Sequence, residues 1–412
     1  MDLRVIICAL IFIQSPDLYS QTSNVLDRYI SEGLKNNLTL KQKQLTYQQS
    51  LEELTIARGK YFPEIGVNAR YTVADGGRLI EFPVGDLLNP VYSTLHQLTG
   101  AMPPSQRFPE MQVENQEFRF YRPTEHETKI HVLQPVFYPQ IYHNHQLKKL
   151  LTYLGKIDEQ AYKRQLTAEI KMAYFNYLKT VELEQVLKNS KALIKENVRV
   201  NKSLYDNEKV TIDNVYKAES ELQKIEQQTA LLEKNKQAAK GFFNFLLNKP
   251  LGSDITIDSV FVFAQPPDSL DKAKQLAIDN SKDLEALGAS IDIAEKNIDL
   301  QKSSFLPTIS AVIDYGFQGE TYAFTSEDDF VLASIVLRWE IFKGKQNRSK
   351  VQKAKINQEI QQVKLDQARA SIELSVVNLF YDVDAERKQI SAIEKQNMAN
   401  EKVFEVVRKK YN

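Results

Sequence analysis

Apolar and polar positions alternate with period two in a few short segments of this chain and recur at three- and four-residue steps in the long stretches between them. Ile65, Val67, Ala69, Tyr71 and Val73 share one side of an extended segment, with Asn68, Arg70 and Thr72 on the other. Ile309, Ala311, Ile313, Tyr315 and Phe317 oppose Ser310, Asp314 and Gln318 in the same way. Return strands are expected at Lys129 to Phe137 and Phe330 to Phe342. In the latter, Val331, Ala333, Ile335, Leu337, Trp339 and Ile341 face away from Ser334, Arg338 and Glu340. Four strands of about 9 to 11 residues match the span of a bilayer.

The first and third of these strands are copies of one unit. The stretch from Ala57 through Pro63 to Tyr71 returns 244 residues later, from Gln301 through Pro307 to Tyr315. The helical lead-in repeats in the same register, Leu26, Asn36 and Leu40 matching Leu270, Asn280 and Leu284. Pro63 and Pro307 therefore open equivalent strands. An apolar strand face needs cover, which a packed helical layer or a lipid bilayer supplies. Polar residues on the opposite face and aromatics near the strand ends favour a barrel with a wet lumen, which makes Ile65, Val67, Ala69, Tyr71, Ile309, Ala311, Ile313 and Tyr315 the lipid-facing set.

The remainder is predicted helix. No glycine or proline interrupts Ile157 to Lys240 or Lys345 to Asn412. Leu147, Leu150, Leu154, Ile157 and Ala161 step by three and four, as do Val215, Ala218, Leu222 and Ile225, the spacing of coiled coils. A run of ~60 helical residues reaches ~90 Å and must pack side by side with others. The apolar spacing lapses over Tyr205, Asp206, Asn207, Glu208, Lys209, Val210, Thr211, Ile212, Asp213 and Asn214. Asn207 tolerates a left-handed turn and Thr211 suits an N-cap, so this stretch reads as a hairpin tip, with one continuous helix as the alternative.

Composition narrows the function. Lys and Arg number 53, as do Asp and Glu, and no basic patch is interleaved with aromatics, which excludes nucleic acid as a partner. The apolar run Val5 to Ile13, after Arg4, is too short to span a membrane as a helix and reads as part of a signal peptide over residues 1–20, the alternative being a buried N-terminal element. The only cysteine, Cys8, lies inside it, so no disulfide is expected in the mature chain. His96, His126, His131, His143 and His145 cluster in sequence but lack metal-ligand spacing, so they read as polar rim residues. With no nucleophile motif and no phosphate-cradling loop, neither an enzyme nor a cofactor is expected. Ala74 to Glu125 holds six of the 14 prolines and reads as a long loop, either a solvated excursion or a cover over the mouth.

In order and duplication, the motifs resemble the TolC-like outer membrane efflux proteins. Leu34-Lys-Asn36-Asn37-Leu38-Thr-Leu40 and Ala277-Ile-Asp-Asn280-Ser-Lys-Asp-Leu284 are similar to the opening of each half in that family. Phe62-Pro63 and Leu306-Pro307 resemble its strand starts, Leu133-Gln134-Pro135-Val136-Phe137 its return to helix, and Leu246-Leu247-Asn-Lys-Pro250-Leu251 its first-half end. The resemblance covers nearly the whole chain. It implies an α+β membrane protein of tandem helix-strand-strand-helix units and a homotrimer. Four strands per chain would contribute to a 12-stranded outer membrane β-barrel, and long coiled-coil helices to a periplasmic α-barrel. A passive export channel for small molecules or secreted substrates, working with a periplasmic adaptor and an inner-membrane pump, is the expected function, with the tip at residues 205–214 as the adaptor-docking end. A coiled-coil scaffold of the cell envelope is the alternative.

The expected organisation is a first repeat at 21–250, with a loop at 75–125 between strands near 64–74 and 129–137, a linker at 251–269 and a second repeat at 270–412. Leu38 and Lys282 replace family prolines, and Glu208 replaces a glycine near the tip. The end of the chain aligns with Leu204-Tyr205-Asp206, so the second repeat reads as truncated before its return helix.

Overall fold

A computed structural model of the chain describes residues 25–258 and 267–411. The expected signal at 1–20 and part of the 251–269 linker lie outside the described residues. In chain order, helices α1 (Val25–Asn36) and α2 (Leu38–Gly59) lead to strand β1 (Glu64–Val73). A folded insertion follows, made of β2 (Leu79–Phe82), α3 (Val84–Thr99) and β3 (Gln116–Arg119). Strand β4 (Thr124–Phe137) then returns to α4 (Pro139–Asp206) and α5 (Ile212–Leu246). The second repeat runs α6 (Leu270–Asp279), α7 (Lys282–Lys302), β5 (Thr308–Gly319), β6 (Asp329–Arg338) and α8 (Gln346–Tyr411). The 244-residue offset holds in three dimensions: Leu38 and Lys282 start helices, and Glu64 and Thr308 start strands directly after Pro63 and Pro307.

One compact unit comprises residues up to 50, 152–290 and from 362 onward. Its core joins Leu26 and Leu40 to Leu166, Ile170, Tyr174, Phe243 and Leu247. The break between α1 and α2 falls at Asn37, whose Oδ1 accepts from the Leu40 amide at 2.9 Å and so caps α2. The cap sits one residue past the Asn36 singled out by sequence. In the second repeat Ser281, not Asn280, does the same work, its Oγ accepting from the Leu284 amide.

Pro139 stands at the first position of α4, where its missing N–H costs nothing, and 68 residues extend about 100 Å. Helices α4 and α5 form an antiparallel hairpin. Glu184 pairs with Lys236, Lys191 with Glu226, and Lys202 with Glu219, each pair closer to the turn than the last. This excludes one uninterrupted helix. Such half-exposed pairs fix register more than they add stability.

The other unit comprises residues 51–151 and 291–361. It holds a four-stranded antiparallel sheet in the order β1-β4-β5-β6. Strand β4 starts at Thr124, five residues before the expected Lys129, because Thr124 to Thr128 pair with β1 and, from His126 on, with β5 as well. Strand β6 stops at Arg338, so Trp339 and Ile341 lie beyond it, and the Trp339 indole N–H bonds to the Phe305 carbonyl at 3.0 Å. The expected loop at 75–125 is structured. A β2–β3 hairpin and α3 are tied together by Asn115 and Asn89, which bond the Gly85 amide and the Val113 backbone respectively.

Candidate channel wall and helical tip

Because directly paired residues of an antiparallel sheet share a face, the register sorts every strand residue. Ile65, Val67, Ala69 and Tyr71 of β1 pair with Val132, Ile130, Thr128 and His126 of β4. These in turn pair with Ile313, Tyr315, Phe317 and Gly319 of β5, with Ala311 and Ile309 continuing the same side opposite Ile335 and Leu337 of β6. The eight residues assigned from alternation therefore fall on one apolar face. In the isolated chain Ile65 and Val67 are 70% and 72% exposed, part of a large uncovered apolar surface.

The opposite face carries a ladder of charge that the sequence did not reveal. Arg70 meets Glu127 at 3.2 Å, Lys129 bridges Glu127 at 2.7 Å and Asp314 at 3.1 Å, and His131 Nδ1 lies 2.6 Å from Asp314. Two cations and two carboxylates alternate across three strands, so the face is polar but locally balanced. Glu127 escaped notice because it precedes the expected start of β4, and because pairing across strands exists only once register is set.

Of the histidines, His131 belongs to this ladder, and His96 Nδ1 contacts the Phe108 carbonyl in the insertion. His143 packs edge-on against Tyr142 and His145 against Tyr61. His126 departs from the rim reading. It is fully buried on the apolar face under the rings of Tyr322 and Phe324, and neither ring nitrogen has a hydrogen-bond partner. No group of metal-ligating side chains occurs among the described residues.

At the tip, Tyr205 and Asp206 complete α4, Ile212, Asp213 and Asn214 open α5, and the turn itself is Asn207 to Thr211, with Lys209 and Val210 in between. The left-handed residue is Glu208, at φ 55°, not Asn207. Its amide bonds to the Tyr205 carbonyl and the Lys209 amide reaches back to the Leu204 carbonyl, which closes the last turn of α4. Thr211 is the N-cap by position, but its hydroxyl donates to Asp213 instead of accepting a backbone amide. That bond, with Lys217 second, holds the Asp213 carboxyl below its ordinary range.

Among the described residues the sheet thus has one apolar and one charged face and two edge strands, β1 and β6. Residues 273–412 match the family model described as outer membrane efflux protein. No curated protein matches the chain. Among solved structures, the outer-membrane channel OprN superimposes with TM-score 0.71 at 15% identity, covering 91% of this chain and 77% of that one. CusC gives 0.69 at 14%, covering 89% and 77%. The CmeC outer membrane channel of Campylobacter jejuni gives 0.67 at 15%, covering 87% and 72%. The match to that family model covers about the last third of the chain, and the fold is that of the TolC-like channels.

Proposed function

We propose that three copies of this chain close a 12-stranded barrel, each giving β1, β4, β5 and β6, with the long helices forming a periplasmic tunnel for passive export of small molecules. The carrying observation is the four-stranded sheet with unpaired edges at β1 and β6 and opposed apolar and charged faces. Open edges in lipid leave main-chain groups without partners, so several copies must pair them. In this reading Ile65, Val67, Ala69, Tyr71, Ile309, Ala311, Ile313 and Tyr315 face lipid, and the ladder from Arg70 to Asp314 lines the lumen.

The two repeats at 21–250 and 270–412, joined by a linker at 251–269, both contribute to the wall, after a signal at 1–20. Residues 205–214 meet a periplasmic adaptor that couples the tunnel to an inner-membrane pump. The exposed polar turn at Glu208, displayed at the end of a helical hairpin, supports that assignment. Outer membrane fractions should contain heat-modifiable, detergent-dependent trimers, and a cysteine at Asp206 or Lys209 should crosslink to the adaptor. Labelling of those positions by an impermeant reagent outside intact cells would overturn the orientation, and a soluble monomer would overturn the channel reading.

A further inference from the structure

Strands of a lipid-embedded barrel alternate apolar outside and polar inside, and β6 breaks that rule. Its side shared with Ile313 and Tyr315 carries Val331, Ile335 and Leu337 as expected. The side shared with the charged ladder is also largely apolar, with Ser334 opposite Val312 interrupting it and Arg338 opposite Thr308 ending it. Leu332 pairs directly with Asp314, Val336 with Ser310 and Phe330 with Gly316, and Leu332 and Val336 are about half exposed. Three large apolar side chains on a wet wall, broken only by the small Ser334, call for an occupant.

A second apolar surface without cover lies on α3. One side of this helix is anchored within the insertion: Gly85 and Asn89 bond Asn115 and Val113, Tyr92 stacks on Phe108, and His96 contacts the Phe108 carbonyl. About a third of a turn away, Leu87, Val91, Leu95 and Leu98 form a stripe with Leu87 and Leu98 each about 70% exposed. A membrane surface is a poor partner. Helices that lie on bilayers pair their apolar face with Lys and Arg, whereas α3 has neither and carries Asp86. The insertion from 74 to 123 holds four Arg against six Asp and Glu.

Topology brings the two surfaces together between copies. β1 and β6 are opposite edges of the sheet, so identical chains joined edge to edge place β6 of one beside β1 of the next. The insertion leaves β1 after Val73, at the same end of the sheet where β6 starts, since Val73 pairs with Thr124 and Asp329 with Phe317. The lengths also agree: Leu87 to Leu98 spans about 16 Å of helix, and Phe330 to Val336 about 20 Å of strand. We propose that the apolar stripe of α3 docks on the lumenal β6 strip of the neighbouring copy, so that three helices narrow the barrel from inside. This rests on the trimeric barrel proposed above.

The test uses the full chain with Cys8→Ser, which removes the only native cysteine. Val91→Cys combined with Leu332→Cys should give, on oxidation, a disulfide between chains, seen as a covalent ladder on a non-reducing gel. Val91→Cys with Val331→Cys, on the other side of the same strand, should give none. In parallel, replacing Leu87, Val91 and Leu98 with Ser should raise single-channel conductance and admit a bulky antibiotic that the parent excludes. A trimer on native gels that forms no 91–332 bond, forms it only within one chain, or bonds 91 to 331 equally, overturns the docking and leaves the channel reading intact. A preparation that is not trimeric overturns both.

Discussion

Asn37 donates through Nδ2 to the Leu246 carbonyl at 2.9 Å, tying the break between α1 and α2 to the end of α5 across 209 residues. The same side chain caps α2 through Oδ1, and Lys249 reinforces the junction by pairing with Glu32 at 2.6 Å. Two motifs that sequence reading treats as separate landmarks are one joint. Asn37→Ala should strip a cap worth about 1 kcal/mol and leave a buried carbonyl unpaired at a further ~1–3 kcal/mol. Asn37→Ser should keep the cap, as Ser281 does, and lose only the cross-link. Thermal midpoints of the purified protein should fall in the order parent, Ser, Ala; equal midpoints would show that the joint is not stabilising.

Gly316 is the strand position least able to accept a side chain. A Cβ there would lie 2.3 Å from the Thr128 carbonyl oxygen and 2.5 Å from Lys129 Cα, both backbone, so nothing can yield without separating β4 from β5. Gly66, with open space at the same point, serves as the control. Gly316→Ala should abolish membrane-inserted oligomer while Gly66→Ala assembles normally, as read by heat modifiability. Normal assembly of both variants would contradict the β4–β5 register.

Arginine at Val67 or Ile313 should cost ~2–4 kcal/mol if these positions meet the hydrocarbon midplane, and little at Asn68 or Ser310 on the ladder side. Yields of folded oligomer should separate the two pairs. Identical yields would refute the facing.

Glu208 holds a left-handed conformation that costs a side-chain-bearing residue about 1 kcal/mol or more. Glu208→Gly removes that cost, offset in part by the greater freedom of glycine in the unfolded chain. Amide exchange at the end of α4 should slow modestly. Faster exchange would mean that Glu208 makes a contact that outweighs its strain.

The tip also carries a pH signature. The Asp213 carboxyl is held below its ordinary range by the Thr211 hydroxyl first and Lys217 second, so its folded value lies under its unfolded one. Its stabilising contribution is therefore complete above the ordinary carboxylate value of about 3.9 and is lost as pH falls through the lower folded value. Carbon-13 titration of Asp213 should show a midpoint below that of an exposed aspartate, moving upward in Thr211→Ala. A midpoint unchanged by that substitution would remove the hydroxyl as the cause.

Much of the architecture was legible because it is written in local chemistry. The strand starts after Pro63 and Pro307 and the helix from Gln346 follow from proline placement, period-two alternation and the lack of helix breakers. The tip was legible as a lapse in apolar spacing but not as a conformation. Asn207 has the better left-handed propensity, yet the geometry that closes α4 assigns φ 55° to Glu208. The insertion from 74 to 123 was opaque because its order rests on contacts such as Asn89 with Val113, 24 residues apart, that no local pattern announces.

Duplication, helix–strand alternation and the apolar side of β1 and β5 are all local features, since repeat register and side-chain period are properties of neighbouring residues. Strand pairing is set by the three-dimensional fold. That pairing set Lys129 between Glu127 and Asp314, buried His126 beneath Tyr322, and placed Leu332 of β6 opposite Asp314. Each of these is a relation between strands, and an antiparallel ladder shifted by one residue would turn every such side chain to the other face while leaving the sequence of each strand unchanged.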